Sequence, residues 1–133
     1  MGRQHVRDGV ITLKQAKTRA ELVIPVHSEL RAVLYAAPAE NLTFLVTPRG
    51  QPYGVTRFSN WFRKQCEAAG LPRRCTAHGL RKAACRRLAE AGCSANEIAA
   101  ISGHRTLKEV ERYTRAVDQA KLARNAMARS RTG

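Results

Sequence analysis

The sequence contains no pair of cysteines at the spacing that a structural zinc site requires. Its cysteines are Cys66, Cys75, Cys85 and Cys93, and no two of them are separated by only two residues. Without a secretion signal that would place the chain in an oxidising compartment, these thiols are expected to be reduced. We therefore predict no metal site and no redox chemistry.

Long hydrophobic runs are absent as well. No stretch approaches the roughly 20 consecutive apolar residues of a membrane-spanning helix. Arg3, Arg7 and Asp8 interrupt the N-terminus where a signal peptide would be apolar. The chain also lacks a P-loop pattern and a carboxylate cluster that could hold magnesium. These absences predict a cytoplasmic protein with no membrane partner, no cofactor and no small-molecule substrate.

Acidic residues are scarce relative to basic ones. The 133 residues include 24 Lys and Arg but only 10 Asp and Glu, which gives a formal net charge of +14. A surplus of this size destabilises a compact chain through self-repulsion, and a polyanionic partner would offset it. Hydrophobic residues make up 44% of the chain, enough for one globular domain. The balance of charge predicts a nucleic acid as the first candidate partner.

The first 26 residues are predicted to form a small antiparallel sheet. Asp8-Gly9 is a strong turn dipeptide, and strand-like runs follow at residues 10–13 and 22–24. Between these runs lies a polar, basic hairpin tip that includes Lys17. A further short strand is predicted at residues 43–46.

Helical patterns occupy most of the remaining chain. Ser28 is expected to cap a helix that Pro38 ends, and a second amphipathic helix around Trp61 closes at Gly70. A third helix, after Thr76, has the predicted apolar stripe Leu80, Ala84, Leu88 and Ala91.

Two capping boxes and a final helical pattern complete the chain. The boxes pair Ser94 with Glu97 and Thr106 with Glu109. Asp118 is expected to cap a last helix, whose predicted stripe is Leu122, Ala123, Ala126 and Met127. The predicted fold class is therefore α+β, mainly helical with a small antiparallel β-sheet at the N-terminus.

Four residues in the helical part form a candidate site for phosphate chemistry. His78 and Arg81 are three apart at a helix start, so they share a face where unpaired N–H groups favour an anion. His104 follows Gly103 in the turn between two helices, and Tyr113 lies in the helix after it.

These residues resemble the motifs of the tyrosine recombinases, also called the phage integrase family. His78-Gly79-Leu80-Arg81 matches their His-x-x-Arg motif, and Ser102-Gly103-His104 resembles their Leu-Gly-His box with Ser in place of Leu. Glu111-Arg112-Tyr113 is similar to the segment that carries the nucleophilic tyrosine. Upstream, residues 15–18 resemble the β-hairpin that carries the catalytic lysine of the family, here Lys17. The matches occur in the family's order and cover most of the chain.

The resemblance implies site-specific DNA recombination or integration through a 3′-phosphotyrosyl intermediate. The implied catalytic residues are Lys17, His78, Arg81, His104 and Tyr113. It further implies a homo-oligomer on DNA. The chain would be a partial catalytic domain over residues 1–133. Its parts would be a hairpin region with the lysine at 1–26, a helical catalytic core at 27–117, and a basic C-terminal helix and tail at 118–133.

One element of the family pattern has no counterpart in this sequence. The family uses a second catalytic arginine in a helix before the first strand, and this chain starts at about that strand. Apart from Lys14, Arg3 and Arg7 are the only basic residues upstream of Lys17, and both lie too late to belong to that helix. Loss of such a transition-state contact typically costs on the order of a hundredfold in rate. We therefore expect weak activity from this chain alone.

Two alternatives to a recombinase use the same residues without catalysis. Residues 94–103 followed by a helix after Thr106 also match a helix-turn-helix DNA-binding module, in which His104 is a turn residue and Tyr113 is core. The chain could also be an integrase remnant that binds recombination sites without cutting them. The lysine hairpin and the His-x-x-Arg motif favour the recombinase, because a helix-turn-helix module needs neither.

Overall fold

The structure, a computed structural model, describes residues 1–117 and 119–131. It comprises two compact units, Met1–Thr76 and Ala77–Gly133. The elements among the described residues are a short 3-10 helix (Arg3–His5), β1 (Val6–Arg7), β2 (Val10–Lys14), β3 (Glu21–Pro25), α1 (Ser28–Ala36), α2 (Val55–Ala68), α3 (Ala77–Glu90), α4 (Ala95–Ser102), α5 (Leu107–Arg115) and α6 (Gln119–Ser130). None of these helices is long and apolar enough to cross a membrane. The predicted cap Asp118 lies outside the described residues.

The N-terminal sheet is antiparallel with the strand order β1-β2-β3. Asp8 and Gly9 both have positive φ values, 48° and 75°, as the tight two-residue turn of a hairpin requires. The second hairpin joins β2 to β3, and its last pair before the connecting turn is Lys14 with Glu21. The predicted α+β fold with a small N-terminal sheet is confirmed.

The core of the first unit forms where this sheet packs against α1. Its buried residues are Ile11, Val26 and Leu34, and Phe44 packs against them. The strand predicted at residues 43–46 is wrong, because only an isolated bridge between Val46 and Pro52 forms. The backbone N–H of Phe44 instead donates to the carbonyl of Met1 at 3.1 Å, so the segment bends while its ring reaches the core.

Both ends of α1 depend on side chains that the sequence pattern did not indicate. His27, rather than the predicted Ser28, is the N-cap residue, and its Nδ1 accepts from the N–H of Glu29 at 3.4 Å. At the other end, the guanidinium of Arg3 donates to the carbonyls of Tyr35 and Ala37. Arg3 therefore satisfies the last carbonyls of a helix, a structural task.

Local capping determines where the helices of the second unit begin. Both predicted capping boxes are present. The N–H of Ser94 donates to Glu97 at 2.6 Å, and the N–H of Glu97 donates to the Ser94 hydroxyl at 3.2 Å. The N–H of Thr106 donates to Glu109 at 3.3 Å. Helices α4 and α5 therefore start where the sequence predicts.

The second core lies where α3, α4 and α5 meet. Its buried residues are Cys85, Ala89, Ile98 and Val110. Of the predicted stripe of α3, Leu88 packs against this core, but Leu80 is wrong because it is 59% exposed, and the fully buried positions are Cys85 and Ala89. These two side chains are small, which lets Ile98 and Val110 of the neighbouring helices fill the space beside them.

The last helix, α6, contacts its unit through polar groups. No described residue of α6 is buried, and the predicted apolar stripe is wrong because Met127 is 61% exposed. Arg129 donates to the carbonyl of Gly92 at 3.1 Å, and Lys121 donates to that of Glu90. Both carbonyls lie at the C-terminal end of α3, where cations are favoured.

Replacing Ile98 with alanine is expected to lower the free energy of unfolding by roughly 2 to 5 kcal/mol, because a fully buried side chain leaves a cavity. Ile101 lies on the same helix and is 41% exposed, so its replacement with alanine is the matched control, expected to cost less than about 1 kcal/mol. Urea denaturation measures both. Equal losses for the two variants would contradict the assignment of this core.

Candidate active site

His78 and Arg81 lie at the start of α3. The helix begins at Ala77, so His78 occupies its first turn, and Arg81 follows one turn later on the same face. Both side chains are exposed. This end of a helix has N–H groups without helical partners and a partial positive charge, which together with a guanidinium suits an anionic ligand.

The chain turn after α4 positions His104. Gly103 ends the helix in the left-handed region with φ of 71°, and its N–H donates to the carbonyl of Ala99 at 2.8 Å. The ring of His104 is half-buried, and its Nδ1 lies 2.6 Å from the hydroxyl of Ser102. Its second ring nitrogen, Nε2, faces away from that contact.

Electrostatics connect His104 with the residues of α3 and α5. Burial lowers the pKa of His104 below its usual value, and the positive charge of Arg81 lowers it further. Arg112 and His78 also lower this pKa, while the carboxylate of Glu109 opposes them. His78, Arg81 and His104 are therefore close enough to interact, and both burial and the neighbouring cations favour the neutral form of the His104 imidazole.

Tyr113 lies beside His104, and their ring centroids are 6.3 Å apart. The tyrosine ring is half-buried and packs against the second core, which restricts its position. The guanidinium of Arg112 donates to the phenolic oxygen at 2.8 Å, and its Cζ lies 4.8 Å from the ring centroid. A cation in this position stabilises negative charge on that oxygen.

An open groove beside Tyr113 runs between α3 and α5. Its lining residues are Lys82, Ala83, Arg86, Arg112, Tyr113 and Ala116. The cations of this groove were not among the residues predicted from the sequence. A signal was available, because His78, Lys82 and Arg86 follow each other at intervals of four, which places them in one row along a helix.

Lys17 belongs to the other unit, where it forms part of the tip between β2 and β3. The turn is closed by backbone hydrogen bonds of 2.9 Å from Gln15 to Ala20 and from Arg19 to Gln15. The hydroxyl of Thr18 donates to the Gln15 side chain at 2.7 Å. Lys17 itself is exposed at this tip, and its catalytic role stays a prediction.

Comparisons with known proteins identify the family to which this chain belongs. Residues 2–120 match the model of the phage integrase family. The chain is 29% identical over 106 residues to the virulence plasmid integrase pGP8-D of Chlamydia muridarum (strain MoPn / Nigg). The aligned region covers 78% of this chain and 32% of that protein. The chain belongs to the phage integrase family, the tyrosine recombinases.

Solved structures with low sequence identity show the same fold. A XerA recombinase is similar with a TM-score of 0.70 at 17% identity, over 98% of this chain and 50% of that one. The integrase of transposon Tn1549, in complex with transposon right end DNA, is similar with a TM-score of 0.68 at 18% identity, over 97% of this chain and 52% of that one. The chain thus spans about a third of the curated relative and about half of these solved chains.

Proposed function

We propose that this chain is the catalytic part of a tyrosine-type site-specific recombinase that cuts and rejoins double-stranded DNA. The observation that carries the proposal is the position of Tyr113 next to His104. Its hydroxyl is held by Arg112 at the edge of a cationic groove. A tyrosine hydroxyl has a pKa of about 10, so it becomes a nucleophile only where a base and positive charge assist it.

In the proposed cleavage step, the phenolic oxygen of Tyr113 attacks the scissile phosphorus. The bond from phosphorus to the 5′-oxygen breaks, and a 3′-phosphotyrosyl bond forms. Arg81 can bind two non-bridging phosphate oxygens at once and offset the charge that develops on them. The neutral, half-buried imidazole of His104 is suited to donate a hydrogen bond to the same phosphate.

Two proton transfers accompany this step. We assign removal of the tyrosine proton to His78, because an imidazole is a common general base in proton transfer. We assign protonation of the departing 5′-oxygen to Lys17, because an alkoxide is a poor leaving group without an acid. In the rejoining step a 5′-hydroxyl attacks the phosphotyrosyl phosphorus and releases Tyr113. The phosphodiester energy is kept, so neither ATP nor another cofactor is needed.

The proposal includes the setting of the reaction. The net charge of +14 supports binding to double-stranded DNA. We propose a DNA-associated protein of the cytoplasm that assembles as a homo-oligomer, because each strand that is cut needs its own nucleophile. The division into a hairpin region at 1–26, a catalytic core at 27–117 and a basic tail at 118–133 belongs to the same proposal.

A helix-turn-helix module without catalysis is not favoured. That alternative treats Tyr113 as a core residue, whereas its hydroxyl accepts a hydrogen bond from Arg112 beside an open groove. It also assigns no role to His78 and Arg81, which lie on one face at the start of α3.

Covalent capture on a nicked duplex tests the proposed chemistry. The substrate is a pool of duplexes with random flanking sequence, nicked a few nucleotides 3′ of the candidate phosphate, so that the short 5′-hydroxyl fragment diffuses away. A phosphotyrosyl adduct then accumulates and survives denaturation. Mass spectrometry of the digested adduct should find the nucleotide on Tyr113.

A second pool makes this test more sensitive. A methylphosphonate replaces the candidate phosphate, which removes one negative charge that the site would otherwise have to neutralise. We expect a weak adduct with the phosphate and a stronger one with the methylphosphonate. No adduct on either pool, or an adduct on another residue, would contradict the proposal.

DNA affinity should fall steeply with salt, because each phosphate contact releases counterions. For about two to five contacts, the loss between about 50 and 200 mM salt is roughly tenfold to several hundredfold. Fluorescence anisotropy on duplex DNA measures the slope. Lys82→Ala should reduce the slope of the logarithm of the binding constant against the logarithm of the salt concentration by about one. Lys108→Ala removes an exposed charge outside the groove and should leave this slope unchanged. A flat salt response would refute phosphate binding.

A further inference from the structure

Ser102 stands where the resembling family box has leucine, and its hydroxyl contacts the predicted catalytic histidine. It is the last residue of α4, and the left-handed Gly103 reverses the chain so that residues 102 and 104 face each other. The distance from the Ser102 oxygen to Nδ1 of His104 is 2.6 Å in a partly buried setting. A leucine at this position has no group that could make this bond.

The contact occupies one ring nitrogen and leaves Nε2 for chemistry. Two arrangements satisfy the geometry. The hydroxyl donates to a bare Nδ1, which leaves a hydrogen on Nε2, or it accepts from Nδ1–H, which leaves Nε2 bare. In the first arrangement Nε2 can donate a hydrogen bond to an anion. In the second arrangement Nε2 can only accept one.

The surroundings of His104 favour the first arrangement. Arg81 and His78 act on the ring from α3 and Arg112 acts from α5, while among the described residues Glu109 supplies an opposing charge. This cationic surrounding disfavours a doubly protonated ring, so His104 has a single N–H to offer. The same cations attract an anion, and an anion needs that N–H to point toward it.

We propose that Ser102 is a positioning residue that donates its hydroxyl hydrogen to Nδ1 of His104, so that the Nε2–H group faces the scissile phosphate. The inference rests on the proposed function. It identifies the hydrogen bond that determines which ring nitrogen of His104 carries the hydrogen. Ser102 touches neither the substrate nor the reacting atoms.

Nuclear magnetic resonance of the chain without DNA tests the protonation state directly. Long-range proton–nitrogen correlation spectra of protein labelled with nitrogen-15 in histidine report which ring nitrogen carries the hydrogen, and His104→Gln assigns the signal. We expect the hydrogen on Nε2 in the unmodified chain. A hydrogen on Nδ1 would overturn the proposal.

The pKa of His104 in Ser102→Ala gives the second readout. A donor to Nδ1 stabilises only the neutral ring, so its loss should raise the pKa by roughly 0.3 to 1 unit. Ser102→Thr keeps the hydroxyl and should leave the pKa unchanged. A fall in Ser102→Ala would mean that the hydroxyl accepts, and no change would mean that the bond is absent; either result refutes the proposal.

These measurements separate this inference from the proposed function. The spectra do not require cleavage, so a chain that shows the expected protonation state but forms no adduct would refute only the function. Conversely, an adduct on Tyr113 together with a hydrogen on Nδ1 of His104 would refute only the role of Ser102. In the adduct assay, Ser102→Ala should shift the acidic limb of the pH profile to higher pH, because the pKa of His104 is expected to rise.

Discussion

Replacing Tyr113 with phenylalanine is expected to abolish the protein–DNA adduct on the nicked duplex pools. Phenylalanine keeps the ring that packs against Val110 and the second core, and it removes only the oxygen that would attack phosphorus. The loss should therefore reach the detection limit. Any adduct that persists has to come from another nucleophile.

The control for this experiment is Tyr35→Phe. Tyr35 is 71% exposed on α1 in the other unit, and the same oxygen is removed there without a proposed role. Its adduct should match that of the unmodified chain. Thermal unfolding and salt-dependent DNA binding of Tyr113→Phe should also be close to unmodified, which separates loss of the nucleophile from loss of the fold. An undiminished adduct in Tyr113→Phe would refute the assignment of the nucleophile.

Arg81→Ala is expected to reduce the rate of adduct formation by a factor on the order of a hundred to a thousand. The guanidinium is proposed to bind two phosphate oxygens that gain charge in the transition state, and loss of one such contact has this size of effect. Arg81→Lys keeps the positive charge but cannot bind two phosphate oxygens at once. Its rate should therefore lie between that of the unmodified chain and that of Arg81→Ala. Single-turnover kinetics on the phosphate pool measures these rates, because a methylphosphonate has only one non-bridging oxygen and cannot receive both contacts.

Arg87→Ala is the matched control, because Arg87 is an exposed arginine in the last turn of the same helix. Its rate should change by less than about threefold, the size expected of a surface charge. Added guanidinium ion should partly restore Arg81→Ala, since the free ion can occupy the vacated position beside the phosphate. Equal rates for Arg81→Ala and Arg87→Ala would contradict the proposed phosphate contact.

The sequence predicted best those features that depend on near neighbours in the chain. The starts of α4 and α5 follow from capping boxes, in which Ser94 and Thr106 each pair with a glutamate three residues later. The turn at Asp8-Gly9 follows from two residues that tolerate positive φ. For such features the deciding contacts lie within four residues, so the local sequence contains the necessary information.

Two kinds of feature were not predictable in the same way: those decided by distant partners, and local contacts made by residue types that the common patterns do not include. The buried face of α3 depends on Ile98 and Val110, which belong to other helices, and a stripe read along α3 alone selected Leu80 instead. The cap of α1 was assigned to Ser28 by residue type, whereas His27 provides the acceptor. The bond between Ser102 and His104 requires the chain reversal at Gly103, which a motif comparison does not represent.

The packing of α3, α4 and α5 has a consequence for how the second unit forms. Each helix contacts the other two, and all three lie within one continuous segment, residues 77–115. Topologies of this kind have low contact order and fold in roughly microseconds to milliseconds, because little loop entropy is lost before the contacts form. His78, Arg81, His104 and Tyr113 all lie on this locally connected segment. The proposed catalytic groups can thus come together early, as soon as the residues from Ala77 onward leave the ribosome.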